Sequence, residues 1–190
     1  EVTKKYMRNS LEISVASANK TADKVQHVFY MVQAKDRYEV VKRIADMNPN
    51  IYGIVFCRTR RETKEVANKL MYDNYNADTI HGELSQAQRD DVMSRFRKRK
   101  IQILVATDVA ARGLDVEDLT HVINYNFPDD DEIYIHRSGR TGRAGKKGIS
   151  IVIIHEREIK KLKNIERISG ITFTKKLVPN GMEICKNRLY

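Results

Sequence analysis

A doubly wound parallel α/β sheet with helices on both faces is the fold class this sequence predicts, and three observations predict it. The apolar runs Ile54-Val55-Phe56 and Ile103-Leu104-Val105 are short, rich in β-branched residues and each followed by a helical pattern, as strands buried on both faces require. Strand-like and helix-like segments alternate from Val25 onward, the order expected of β-α-β crossovers in a parallel sheet. The chain has 190 residues and 41% hydrophobic content, enough for one domain with a sizeable core.

Residues 1–24 are polar and without clear periodicity, and read as a linker leading into the domain, with one short strand around 11–15. The domain itself is expected over 25–175, with strands at 25–32, 51–57, 76–80, 101–106, 121–125 and 148–154. Helices fall between them at 35–47, 60–72, 86–97, 131–138 and 156–169. Thr59 with Glu62, and Ser85 with Gln88, have capping-box spacing and start the second and third helices. The acids Asp129, Asp130, Asp131 and Glu132 sit where they favour the dipole of the fourth, an assignment that leaves them no need of a bound cation. Pro179-Asn180-Gly181 marks a turn, and 176–190 reads as the start of a C-terminal extension.

Lys and Arg number 35 against 25 Asp and Glu, a net charge of +10 and a pI near 9.6. Such an excess suits a polyanionic partner, because neutralising phosphates releases their counterions. Apolar runs such as 151–154 are too short to span a bilayer, and no signal peptide is recognisable, so a soluble, cytoplasmic protein is expected; the chain itself is read as a monomer. Cys57 and Cys185 lack Cys-x-x-Cys spacing, which argues against zinc or a disulfide framework, and Cys57 reads as a small core residue. His27, His121 and His155 lie in or beside strand patterns and read as structural, and most of the nine tyrosines as packing residues.

The most informative segment is His136-Arg137-Ser138-Gly139-Arg140-Thr141-Gly142-Arg143, with an arginine at every third position among glycines. A guanidinium presents a planar fork of donors that matches phosphate oxygens, and glycine lets the backbone come close. Parallel strands deliver their carboxyl ends to one edge, where ligands of open α/β sheets bind. Thr59, Arg89, Thr107, Arg112 and the arginine fork are expected on that shared rim. The basic run from Arg95 to Lys100 reads as a solvated helix end whose cations favour the dipole, with an extension of the rim as the alternative.

These segments resemble the DEAD-box RNA helicases. Gly53 to Thr59 is similar to helicase motif IV, Gln86 to Arg89 to the Gln-x-x-Arg motif, Ala106 to Asp115 to motif V, and His136 to Arg143 to motif VI. Their order and spacing resemble the second, RecA-like lobe of such an enzyme, over essentially 25–158. The resemblance implies that Arg140 and Arg143 are arginine fingers toward the γ-phosphate of ATP, with Arg137 and His136 coupling that site to the facing lobe. It implies that Asp115, beside the backbone of Gly113, meets the ATP ribose, and that Thr59, Gln86, Arg89, Thr107 and Arg112 work on the RNA side. The chain has no Gly-x-x-x-x-Gly-Lys phosphate loop and no Asp-Glu-Ala-Asp, so the Mg2+ ligands are expected in a partner N-terminal RecA-like lobe. Tyr6 to Ser10 resembles the segment that leaves that lobe, and Leu177 to Cys185 resembles the bacterial DeaD-type subgroup.

Two other classes stand beside this one. A non-enzymatic RNA-binding module would use the basic charge and the rim equally well, but has no use for Arg140 and Arg143 together with Asp115. A DNA helicase or translocase lobe of the same superfamily is disfavoured by His136 and by the sequence from Ala106 to Asp115.

Overall fold

The computed structural model describes residues 25–189 except 115, 117 and 143–145. The expected linker at 1–24, with Tyr6 to Ser10, and the site residues Asp115 and Arg143 lie outside the described residues. Strands β1 Val25–Met31, β2 Gly53–Phe56, β3 Ala77–Ile80, β4 Ile103–Ala106, β5 His121–Asn124, β6 Gly148–Ile154 and β7 Thr174–Lys175 form one sheet. Its order is β3-β4-β2-β5-β6-β1-β7, and every pairing is parallel.

Side chains alternate across each strand, and both faces are buried. Val28, Tyr30, Val55, Val105, Ile123, Ile151 and Ile153 pack on one face with α1 Arg37–Met47 and α2 Arg60–Tyr72. On the other face, Ile54, Phe56, Leu104, Ala106 and Val122 meet α3 Gln86–Arg97 and the single-turn α4 Asp108–Ala111. Further along that face, Phe29, Val152 and Ile154 meet α5 Asp131–Ser138 and α6 Ile159–Ser169. At about 1.5–3 kcal/mol for each large apolar side chain removed from water, this two-sided burial is the main force holding the motifs in register.

The expected strands are observed, most of them one or two residues shorter at the ends, and 3-10 turns at Ala34–Asp36 and Glu156–Glu158 lead into α1 and α6. Two elements carried too little pattern to anticipate: helix α4 has one turn, and β7 has two exposed residues added to the β1 edge. The segment read as the start of an extension holds α7 Gly181–Leu189, which begins at the end of the Pro179-Asn180-Gly181 turn. Asn180 starts α7 through a reciprocal cap: its side chain accepts from the Glu183 amide at 2.9 Å, and its own amide donates to the Glu183 carboxylate at 2.9 Å. Val178 packs on the first core and Ile184 is buried, so the tail expected as an extension lies against α1.

Candidate functional site

Three capped turns leave the carboxyl edge of the sheet. After β2, the Thr59 hydroxyl accepts from the Glu62 amide at 3.2 Å. Glu62 does not close the box on Thr59, because its carboxylate takes the Arg58 amide at 3.2 Å and the Asn126 side chain at 3.0 Å. After β3, Ser85 and Gln88 form the full reciprocal box that their spacing predicts. After β4, the buried Thr107 hydroxyl accepts from the Ala110 amide at 3.4 Å and starts α4.

Arg137 is the centre of the next layer. Its Nε and Nη2 donate to the two carboxylate oxygens of Asp108 at 2.7 and 2.6 Å. Its Nη1 donates to Asn124 Oδ1 at 2.9 Å and to the Asn126 carbonyl at 3.4 Å, and the guanidinium lies 4.9 Å from the Phe56 ring centroid. Asn124 is itself anchored by donating to the Ile151 carbonyl at 3.0 Å, and Asn126 receives the Arg58 amide at 2.8 Å. One bidentate, charge-assisted cluster thus ties the ends of β2 and β5 to α4 and α5. Of the arginines expected as a fork on the rim, Arg137 is corrected here: it is 5% exposed and its guanidinium is engaged within the domain, so it holds the site together and offers no fork to a phosphate.

A cavity of about 370 Å³ opens beside this cluster, lined by Phe56, Asp108, Ala111, Arg112, Ile133, His136, Arg137 and Arg140. Arg112 and His136 are exposed, and half-buried Arg140 donates to the Leu114 carbonyl at 2.9 Å. Gly113, at φ +76°, makes the left-handed turn that carries the chain from Arg112 to Leu114. The loop after Arg140 is clamped to the sheet: the Thr141 hydroxyl donates to the Leu119 carbonyl, and a Cβ at Gly148 would fall 2.1 Å from Thr141 Oγ1 and 2.5 Å from the Gly142 amide. With Asp108 neutralised by Arg137, the described lining of the cavity is cationic, which suits phosphate. Among the described residues no group of His, Cys, Asp or Glu side chains converges as metal ligands.

The residues expected on the RNA side are distributed along the edge. Arg89 docks α3 on α4 by donating to the Ala110 carbonyl at 3.3 Å, while exposed Gln86 donates to Asp90 at 2.8 Å. Thr59 borders a separate hollow of about 520 Å³ with Arg60, Lys64 and Glu83. The run from Arg95 to Lys100 is not an extension of this rim. It closes α3 immediately before β4 begins, and so stands at the opposite, amino-terminal edge of the sheet.

A family model described as the helicase conserved C-terminal domain matches residues 36–145. The DEAD-box ATP-dependent RNA helicase CshA of Bacillus cereus is 43% identical over 166 residues, covering 87% of this chain and 32% of that protein. The chain belongs to the DEAD-box helicase family, through its C-terminal RecA-like domain. It spans about a third of the length of the curated relatives it matches. A DEAD box protein from Methanococcus jannaschii superposes with a TM-score of 0.75 at 47% identity, covering 81% of this chain and 42% of that one. S. cerevisiae Dbp5 bound to RNA and ADP BeF3 superposes with a TM-score of 0.82 at 25% identity, covering 98% of this chain and 51% of that one.

Within this DEAD-box lobe, the supporting residues that motif reading did not single out are Phe56, Asp108, Asn124 and Asn126. The two asparagines left one signal, polar side chains inside an otherwise apolar strand and its exit. A second buried chain behind motif VI also went unread: His27 Nδ1 lies 2.5 Å from the Tyr134 hydroxyl, which donates to Ser150 at 3.2 Å, and Ser150 meets Ser138 at 2.8 Å. Burial lowers His27 to about 4 and pushes the Tyr134 phenol up, so both are neutral here. His121 is likewise lowered to about 4, and His155 caps the turn into α6. Cys57 is buried with its thiol raised by desolvation.

Proposed function

We propose that this chain is one of two lobes of an ATP-dependent RNA helicase, contributing arginines to ATP hydrolysis and a grip on the RNA ribose-phosphate backbone. The observation that carries the reading is the cationic cavity where motif V and motif VI meet, with Arg112, His136 and Arg140 around one opening beside Gly113. The likeness to Dbp5 bound to RNA and ADP BeF3 supports it. In this reading Arg140 and Arg143 approach the γ-phosphate, Asp115 and the Gly113 backbone meet the ribose, and His136 faces the other lobe. Arg137 acts through the Asp108 cluster that orients α5. Thr59, Gln86, Arg89, Thr107 and Arg112 contact RNA or relay its binding along the carboxyl edge. In this reading the ligands of Mg2+ belong to the N-terminal lobe.

The chemistry follows from closure. RNA and ATP each bridge the two lobes, so each favours the closed state, and binding one promotes the arrangement the other needs. The arginines then stabilise charge that builds as the phosphoryl group transfers. The protein is read as working in the cytoplasm, and the lobe as monomeric. The test uses the complete helicase. Arg140→Ala and Arg143→Ala should each lower kcat for ATP by about 10³-fold or more with a much smaller change in KM, as arginine fingers do elsewhere. Thr107→Val should weaken RNA stimulation instead. Near-normal turnover in both arginine variants would overturn the assignment, as would RNA-stimulated turnover by this 190-residue chain without a partner lobe.

A further inference from the structure

A second cationic surface lies at the amino-terminal edge of the sheet, far from the cavity. Helix α3 joins the two regions: Gln86 and Arg89 stand in its first turn and Arg97 at its end, separated by roughly 15 Å at 1.5 Å per residue. Arg97, Lys98, Arg99 and Lys100 are all exposed, as is Lys147 just before β6. Among the described residues no carboxylate pairs with Arg97, Lys98, Lys100 or Lys147, although Arg58, Arg60, Arg61, Lys64, Arg95 and Lys146 are all paired. One acid at this edge, Asp118, is already neutralised by Lys146 at 2.6 Å. Asp90 and Asp91 are exposed along α3 between the two regions, so the positive surfaces are separate.

Arg99 shows that the patch is shaped rather than merely solvated. Its φ is +56°, and the Lys100 and Arg99 amides donate to the Arg95 and Phe96 carbonyls at 2.9 and 2.8 Å, a Schellman end to α3. Glycine is the unstrained residue at such a position. The arginine kept there instead lies 4.2 Å above the Tyr52 ring centroid, and Tyr52 stacks on buried Phe96 at 4.5 Å. Its guanidinium is thus held over a fixed aromatic platform, and among the described residues no acceptor takes its donors.

We propose that the surface formed by Arg97, Lys98, Arg99 and Lys100 is a second RNA-backbone contact that holds strand or duplex flanking the segment bound at the carboxyl edge. The inference rests on the RNA reading above. Clustered free cations with an arginine fork, and no apolar anchor among them, fit a phosphate chain read without sequence preference.

The test measures binding of this chain to a short single-stranded RNA, sufficient only for the carboxyl edge, and to a long one, across a salt series. A triple variant, Arg97→Gln with Lys98→Gln and Lys100→Gln, should leave short-RNA binding unchanged. For the long RNA it should lower affinity roughly tenfold and flatten the log-log salt slope by about 2, at about 0.7 per single-strand phosphate contact. A charge-matched control, Lys160→Gln with Lys163→Gln and Lys186→Gln, should leave both slopes in place. Arg99→Gly should melt at or above the parent temperature yet weaken long-RNA binding, an outcome a purely structural arginine would not produce. Equal effects from the triple variant and the control, or an unchanged long-RNA slope, would overturn the proposal. Arg89→Gln with Thr107→Val reports separately on the carboxyl edge: if it leaves short-RNA binding intact, the underlying RNA reading fails, whatever the patch does.

Discussion

Asp108→Asn is the sharpest probe of how the site is held. The substitution keeps the shape but removes the charge that compensates Arg137, which is 5% exposed and has no other carboxylate within its hydrogen bonds. Removing one partner of a fully buried pair costs about 3–5 kcal/mol. Asp108 is 34% exposed and Arg137 keeps Asn124, the Asn126 carbonyl and the Phe56 face, so water and these contacts reduce the expected loss to roughly 2 kcal/mol. For a domain of this size that is a fall in Tm of about 4–8 °C. Arg137→Met leaves Asp108 able to turn to water but strands the Asn124 carbonyl oxygen, at about 1–3 kcal/mol. Thermal and urea melts of the parent, both single variants and the double variant complete a cycle, in which the double variant should cost less than the sum by at least about 1 kcal/mol. If Asp108→Asn melted within about 0.5 kcal/mol of the parent, or the two changes were additive, the claim that this cluster binds motif V to motif VI would be refuted.

Gly148→Ala should destabilise by at least about 1–3 kcal/mol and loosen the loop after Arg140, since its Cβ would overlap Thr141 and the Gly142 backbone; a melt equal to the parent's would contradict that clamp. His27 and His121 are lowered from 6.5 to about 4, so the unfolded chain takes up their protons first. Their contribution is fully present above 6.5 and is lost as pH falls toward 4, by up to about 3 kcal/mol each. Melts between those limits should show this slope, and the slope should shrink in His27→Gln. In native protein a thiol reagent should modify exposed Cys185 rapidly and spare Cys57 until denaturant is added; fast modification of Cys57 would mean that its strand end opens readily.

What was readable along the chain is what depends on near neighbours. Two-residue alternation places Val55 and Phe56 on opposite faces, and caps such as Ser85 with Gln88 act across three residues, so sheet class and helix starts follow from local pattern. Motif spacing likewise points to Arg140 and Arg112 as site residues without any fold being drawn. The direction of Arg137 could not be read this way, because Asp108 lies 29 residues before it and Asn124 13 before it, and their meeting depends on the order of β2, β4 and β5 in the sheet. The same holds for the basic run at the end of α3. Its composition is local, but which edge it decorates is set by the parallel crossover from α3 to β4, which carries the chain back across the sheet before the next strand can begin.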